Sequence, residues 1–477
     1  MAKIIVIGAG FAGHTAALYL GDALGKKHEV TVVNKRDYFL FLPSLIWVSV
    51  NRMKPEKTHF RLKPVYDKMH IRFIHGSVTE IHPDENYLLA EEVDGGGQIK
   101  LEYDYLINAT GPKLNFEGTE GLGPHKGTTY SVCTLEHTVE TANKWNELVE
   151  RMEKGEKLKI VAGVGHPAAT CQGASYEFIT NVHRDLQRRG LRDKAELVWL
   201  SNEPELGDFG VRGVTVKKGG WSFSSEQFIK MIYEDFDIKW EIGRGVKAVD
   251  KKKAYWEDLN GNKGETDFDF AMLIPQFTGI PIKYVGKNGE DVSDKVVNKA
   301  GFTLVDGIYG LSYETLVQNP DAWPSVYQNP NYRNIFAAGI AFAPPGPISR
   351  PRKNPNGMVI SPAPPRTGMV SGIIGRIVAK NIIDLIQKGR MTHQERMSEM
   401  FAACIASMGD SLWDGSAATM ILYPVVPDNR RYPNEHGRDM TVTNMEMGLA
   451  GAWMKRLIHT TFMHKFKRRI GWKIIPE

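Results

Sequence analysis

The sequence predicts an α/β protein with two Rossmann-like dinucleotide-binding domains and C-terminal amphipathic membrane-binding helices. Two observations carry the first half: apolar strands at Lys3-Ile4-Ile5-Val6-Ile7 and Lys159-Ile160-Val161-Ala162 each run through a glycine-containing turn into a helix-like stretch. The third is a basic C-terminal segment with apolar residues at helical spacing. A length of 477 residues accommodates two or three domains. The formal net charge of +5 is too small to point to nucleic acid, and no metal is expected. Met1 leads within two residues into the first strand, so no targeting segment is read at this end. No uninterrupted apolar run approaches the ~18 residues of a membrane span. The soluble part is expected on the cytoplasmic side.

The first unit is the more complete. Gly8-Ala9-Gly10-Phe11-Ala12-Gly13 follows the first strand, a helix is predicted over about Phe11 to Leu24, and a second strand over Val30 to Val33. Gly8 permits the turn, Gly10 lets the backbone approach a pyrophosphate, and Gly13 lets helix and strand close up, with the helix N-terminus facing the phosphates. Where the second strand usually ends in an acid for the ribose, this chain has Asn34, a neutral and weaker partner; Lys35 is the alternative contact for phosphate or ribose.

The second unit departs from that pattern. Gly163-Val164-Gly165 is followed by His166-Pro167-Ala168-Ala169-Thr170-Cys171, without the third glycine and with a proline that stiffens the turn and removes a donor. This predicts a retained fold with a lost nicotinamide site, so electrons come from something other than NADH.

The chain has three cysteines: Cys133, Cys171 and Cys404. Scattered cysteines are more often buried structural thiols. Cys171 differs, because it opens the helix predicted over about Gln172 to Arg189, and a thiol at a helix N-terminus has a lowered pKa. Glu177, about two turns along, reads equally as a base or proton relay and as a solvated helix carboxylate. Cys404 follows Thr392-His393-Gln394-Glu395, which looks like a capping box. Its segment reads as helix throughout or as helix turning to strand near Ala402. Taken alone, Cys404 and Cys133 would be core.

Several segments carry a family resemblance. Tyr105-Leu106-Ile107-Asn108-Ala109-Thr110-Gly111-Pro112 and Asn334-Ile335-Phe336-Ala337-Ala338-Gly339 resemble the flavin motifs of two-dinucleotide-domain flavoproteins. They imply FAD, with Gly8, Gly10, Ala12, Gly13, Asn34, Lys35, Thr110, Gly111 and Gly339 as its contacts. Ile340 replaces the Asp usual after that last glycine. With Ser131-Val132-Cys133-Thr134, Cys171-Gln172-Gly173-Ala174-Ser175-Tyr176-Glu177-Phe178 and Ala403-Cys404-Ile405-Ala406, the chain resembles the sulfide:quinone oxidoreductases over nearly its whole length.

That resemblance implies a Cys171/Cys404 redox pair at the flavin, Cys133 as the third cysteine, which in some members links covalently to FAD, and Glu177 as a carboxylate near the sulfurs. It implies sulfide as reductant, membrane quinone as acceptor, and a homo-oligomer. His137 matches a position on the quinone side. Pro344 to Pro365 is predicted as a long ordered loop. Arg366-Thr367-Gly368, opening a helix over about Met369 to Gln387, stands where the family has Lys-Thr-Gly against the flavin ring, and Arg366 replaces the Lys.

At the C-terminus, Ala450, Trp453, Met454, Leu457, Ile458, Phe462, Phe466 and Ile470 form one apolar stripe, with Lys455, Arg456, Lys465, Lys467, Arg468 and Arg469 off it or at its edge. A basic amphipathic helix suits an anionic lipid bilayer. Because quinone dissolves in lipid, Lys455, Phe462 and Phe466 are candidates for its mouth. The expected division is 1–115 with 300–390 for FAD, 116–299 for the degenerate NAD-like domain carrying Cys133 and Cys171, and 391–477 for the membrane region with Cys404. The alternative, a type II NADH:quinone dehydrogenase, requires the second glycine motif that this chain lacks. A flavin-containing sensor has no need of two reactive cysteines, and a flavocytochrome sulfide dehydrogenase needs a haem partner.

Overall fold

The computed structural model describes residues 1–477 apart from Asp94, Arg366 and Glu435. Its larger sheet runs in the order Ile335–Ala337, Tyr105–Asn108, Lys3–Ile7, Glu29–Asn34, Ile71–His82, Tyr87–Glu92, Gln98–Glu102. The first five strands are parallel and rich in β-branched residues, as suits strands covered on both faces. The helices Phe11–Leu24 and Gly368–Lys388 pack side by side over it. Their contact is close enough that a Cβ at Gly375 would lie 2.2 Å from the Ala12 carbonyl oxygen.

The chain leaves this layer after Tyr105–Asn108 through Pro112–Asn115 and returns through Gln276–Gly279, two segments that pair antiparallel. Between them it builds a second, all-parallel sheet in the order Ile238–Glu241, Ala195–Leu200, Leu158–Val164, Phe270–Ile274. The second Rossmann-like unit is thus inserted in the first, as the fold class read from the sequence requires. Its helix Gln172–Arg189 has the expected bounds and stops at Gly190, which takes the left-handed conformation (φ 69°) that frees a helix end.

The C-terminal part adds an antiparallel sheet of Ala402–Met408, Ser416–Leu422 and Asn444–Gly448, with the helix Leu449–Phe466 packed on it. Two expectations change here. The capping-box reading at Thr392 fails, because the caps bond elsewhere: the Thr392 hydroxyl goes to Asp384, and the His393 backbone exchanges bonds of 3.0 and 2.8 Å with the Asn381 amide. The segment therefore folds back along the preceding helix, and Cys404 lies on a strand. The single apolar stripe also divides. Phe466 is buried, whereas Trp453, Met454, Leu457 and Ile470 are exposed. Lys455 and Lys465, expected off the stripe, are buried, each on a carboxylate: Lys455 on Glu177, Lys465 on Glu477. Among the described residues no helix is long and apolar enough to cross a membrane.

Candidate active site

The first glycine loop forms a cradle. A Cβ at Gly13 would lie 2.0 Å from the Gly8 carbonyl oxygen, so only hydrogen fits there and the helix closes onto the turn. Gly10, the N-cap, faces the other way: a Cβ there would meet nothing within 4 Å. The backbone N–H groups of the first helical turn thus face open space, the arrangement that receives a phosphate. Asn34 sits beneath, its Oδ1 accepting the Ala9 N–H at 2.9 Å and its Nδ2 donating to the Arg36 carbonyl at 2.6 Å. Its amide therefore clasps the loop, and Lys35 is exposed.

The other predicted contacts converge on the same place. Ala12 faces Gly339, whose added Cβ would lie 2.8 Å from the Ala12 Cβ. Thr110 is anchored by its hydroxyl on Asn108 Oδ1 at 2.8 Å, and Gly111 opens onto space as Gly10 does. Gly368 abuts the Phe11 ring. Thr367, the N-cap of the second long helix, has a buried hydroxyl with no hydrogen-bond partner among the described residues. Buried hydroxyls are almost always bonded, so an open glycine and an orphan hydroxyl at two helix N-caps, with a second open glycine in the turn after Tyr105–Asn108, fit a flavin nucleotide. Arg366 lies outside the described residues.

The sulfur site is built from two elements far apart in sequence. Cys171 is the N-cap of its helix and holds a left-handed backbone (φ 66°, ψ 32°), a conformation that costs a side chain of this kind about 1 kcal/mol. Two residues on, a Cβ at Gly173 would lie 3.6 Å from the Cys404 sulfur, so the strand Ala402–Met408 brings Cys404 over the first turn of the Cys171 helix. Cys133 packs against the same apolar cluster, and all three cysteines are half-buried. Burial pushes the Cys404 thiol up, the Lys455 ammonium pulls it down, and the Glu177 carboxylate raises it. Burial also pushes the Cys133 thiol up, opposed by a hydrogen bond from Ser131.

Helix and strand are held together by polar bonds buried between them. Asn181 donates to the Ser407 carbonyl at 2.6 Å and accepts from Gly409 N–H at 3.0 Å. Glu177 accepts from the Ser407 N–H at 3.0 Å and from its hydroxyl. Lys455 reaches in from the C-terminal helix, donating at 3.0 Å to Glu177 and at 3.0 Å to the Ile405 carbonyl. Glu177 is therefore a buried, paired group and not a solvated one. Sequence reasoning missed Ser407 and Tyr176. The Tyr176 hydroxyl is buried without a partner among the described residues, and its pKa is raised by burial and by the charge of Cys404 nearby. Only its position one turn past Gln172 on the cysteine helix could have singled it out.

The second glycine turn is covered. The Ser361 N–H donates to the Pro167 carbonyl at 3.0 Å, Ala363 N–H to Ala169 at 3.1 Å, and the Thr170 hydroxyl to Pro364 at 3.2 Å. The proline-rich segment thus lies along the turn where a second nucleotide would need its phosphates.

The four candidates for the quinone do not form one group. Phe462 and Phe466 lie together, with ring centroids 5.5 Å apart, and reach Phe11 of the cradle at 6.5 and 5.5 Å. Phe466 is fully buried and Lys455 points under the helix to Glu177, so neither opens outward. His137 stands in the first turn of the helix Leu135–Glu153, its ring beside Phe116 and His125. Its Nδ1 is buried without a partner among the described residues, and its pKa is lowered by burial and then by His125.

Comparison with known proteins follows the same division. A family model described as pyridine nucleotide-disulphide oxidoreductase matches residues 2–166. The sulfide-quinone reductase of Aquifex aeolicus is 32% identical over 92% of this chain and 87% of its own length. The X-ray structure of the sulfide:quinone oxidoreductase from that hyperthermophilic bacterium superposes with a TM-score of 0.76 at 28% identity, covering 98% of this chain and 92% of that one. NDH2 of Plasmodium falciparum, solved with NADH, shares the fold at a TM-score of 0.65 and 14% identity, covering 99% of this chain and 97% of that one.

Proposed function

We propose how this chain, which belongs to the sulfide:quinone oxidoreductases, carries out sulfide oxidation with quinone as acceptor. The observation that carries the residue assignment is the approach of the Cys404 sulfur to the first turn of the Cys171 helix. In the oxidised enzyme Cys171 and Cys404 are joined as a disulfide. Hydrosulfide attacks one sulfur, the S–S bond breaks, one cysteine becomes the persulfide and the other leaves as the thiolate. Loss of two electrons and a proton joins that thiolate to the persulfide as a sulfur-bridged pair, and further turns lengthen the bridge until it is released as sulfane sulfur or polysulfide. The bound flavin, which we assign as FAD, supplies a two-electron relay from the sulfurs to the quinone.

The protein's own groups set up that exchange. The N-terminus of the helix at Cys171 stabilises negative charge on its sulfur. Lys455 does the same for Cys404, while Glu177, held by Lys455 and Ser407, keeps that ammonium in place and is the nearest carboxylate for a proton. Gly8, Gly10, Ala12, Gly13, Asn34 and Lys35 take the nucleotide end of FAD. Thr110, Gly111, Gly339, Thr367 and Gly368 take the ring end. Cys133 is the third cysteine, and covalent attachment would leave colour on acid-precipitated protein that Cys133→Ser releases. The expected limits of 1–115 with 300–390, 116–299 and 391–477 are assigned with these roles, except that the return to the first unit moves back to about residue 280, because Lys283–Tyr284 pairs with Ile71–His82.

Membrane docking belongs to the same reading. Trp413, Leu457, Ile470 and Ile474 are exposed apolar side chains on the C-terminal elements, among basic residues. Phe462, beside Phe11, lies between that surface and the cradle and lines the quinone entry. We assign the soluble part to the cytoplasmic side of the membrane and the assembly to a homo-oligomer.

Anaerobic flavin bleaching tests the reaction. Sulfide should bleach the flavin, a soluble quinone should restore it, and Cys171→Ser or Cys404→Ser should abolish the first step. NADH should do nothing, since the segment 361–364 occupies the second turn. Bleaching by NADH and not by sulfide would overturn the assignment.

A further inference from the structure

A polar recess of about 330 Å3 opens beside the helix Leu449–Phe466, with Trp47, Arg52, Lys54, Lys57, Asp410 and Arg456 in its wall. None of these belongs to the cradle or to the sulfur site. Four are cations and one is a carboxylate. The carboxylate is already engaged, since Asp410 takes Arg188 at 2.8 Å and Arg456 at 3.4 Å. Arg52 is held by Asp185 at 2.9 Å. Lys54 and Lys57 are exposed and form no ion pair among the described residues. The nearest acid in sequence, Glu56, is exposed and outside the wall. Trp47 is 2% exposed, and its indole N–H has no hydrogen-bond partner among the described residues. The recess therefore presents two uncommitted ammonium groups against a buried tryptophan. His459, on the same helix, feels the surplus: its pKa is lowered by burial and then by Lys467, Arg456, Lys455 and Lys57.

The position of the recess says which anion it suits. Arg456 stands between the exposed Met454 and Leu457, and Asp410 stands two residues before the exposed Leu412 and Trp413. The Trp453 indole N–H donates to the Leu412 carbonyl at 2.8 Å, which joins the two elements into one apolar surface. The recess thus lies at the polar rim of that surface, with Arg456 in its wall one residue from Leu457.

We propose that this recess is a binding site for the phosphodiester headgroup of an anionic membrane lipid, its chains running along Leu412, Trp413, Trp453 and Leu457. The proposal rests on the membrane-docking reading and goes beyond it. Docking needs only a diffuse basic, apolar face, whereas the recess holds one lipid.

Native mass spectrometry of the flavin-loaded enzyme tests it, with phosphatidylglycerol, phosphatidylcholine and glycerol phosphate as probes. One phosphatidylglycerol should be retained, and Lys54→Gln/Lys57→Gln should weaken that retention about thirtyfold, from roughly 1 kcal/mol per cation. Arg469→Gln/Lys473→Gln, which removes as much charge from the exposed end of the segment, should leave it unchanged, and sulfide bleaching should be unaltered in both variants. Equal losses from the two pairs would mean diffuse attraction, and equal retention of phosphatidylcholine or of glycerol phosphate would mean no lipid-headgroup specificity; each overturns the proposal. Flotation on phosphatidylglycerol-containing vesicles reads the docking separately. Its loss in Trp453→Ser/Leu457→Ser supports the docking face, and failure of the wild type to float refutes docking while the retained-lipid measurement still decides the recess.

Discussion

The chain builds the strand–turn–helix unit twice, and the two copies have opposite surfaces. At residues 8–13 the turn is stripped to hydrogen where strand and helix meet and is open where Gly10 caps the helix. At residues 163–171 the same corner is roofed by the segment 361–364, and its helix is capped by a cysteine in a left-handed conformation. The positive end of a helix serves both. In the first copy it faces open space of the kind that receives a phosphate, and in the second it stands at the Cys171 side chain. One scaffold thus yields a nucleotide cradle or a thiol platform according to what stands at the N-cap and what covers the turn.

Substitution at the two turns should give the largest contrast. Gly13→Val forces side-chain atoms into the Gly8 carbonyl and should cost about 3 kcal/mol or more and abolish flavin retention. Gly165→Ala meets only the Leu122 side chain, which can move, and should keep the flavin. Absorbance of the purified variants checks both, and a colourless Gly165→Ala protein would erase the distinction.

The second copy should depend on its buried ion pair in a way the first does not. Lys455→Met leaves Glu177 buried and unpaired, an expected loss of about 3–5 kcal/mol. Adding Glu177→Gln should recover part of it, because the uncompensated charge is gone. Denaturant midpoints of the two singles and the double close the cycle, and additive losses would deny the coupling.

Each helix also carries a buried imidazole, which sharpens the contrast by pH. His14 bonds to Tyr66 at 2.8 Å and to the Phe466 carbonyl at 2.9 Å, and burial lowers its pKa to about 4. His183 is lowered to about 4 by burial and by Arg192 and Arg184. Both fold as neutral rings with pKa values below the unfolded 6.5, so their stabilisation is complete above pH 6.5 and is lost as pH falls toward 4. For His14 the loss is about 3 kcal/mol. His14→Gln should be less stable at pH 7 and lose less on acidification; an unchanged slope between pH 6.5 and 4 would remove this account.

The smallest effect is local to the cap. Cys171→Gly relieves the left-handed strain and should gain about 1 kcal/mol while losing all sulfide-dependent bleaching. Cys171→Ser should lose the bleaching without the gain. If glycine brings no increase in the denaturant midpoint, the cap is not strained.

What could be read along the chain was local. The helices Phe11–Leu24 and Gln172–Arg189 were legible because glycine turns start them and their apolar spacing continues to a stop. The failed capping box at Thr392 shows the limit, since Asp384 and Asn381 took groups that a local rule assigns to a helix start.

The sequence by itself determined the two glycine turns, the missing third glycine of the second, the three cysteines and the basic apolar C-terminus, because each is a pattern within a few residues of itself. Only the tertiary structure decided that Cys404 lies over the Cys171 helix, that Glu177 and Lys455 pair across 278 residues, and that residues 361–364 roof the second turn. It also divided the C-terminal stripe between core and surface. These are long-range contacts, set by which burial and hydrogen-bond partners the folded chain brings within reach, and no spacing along the sequence encodes them.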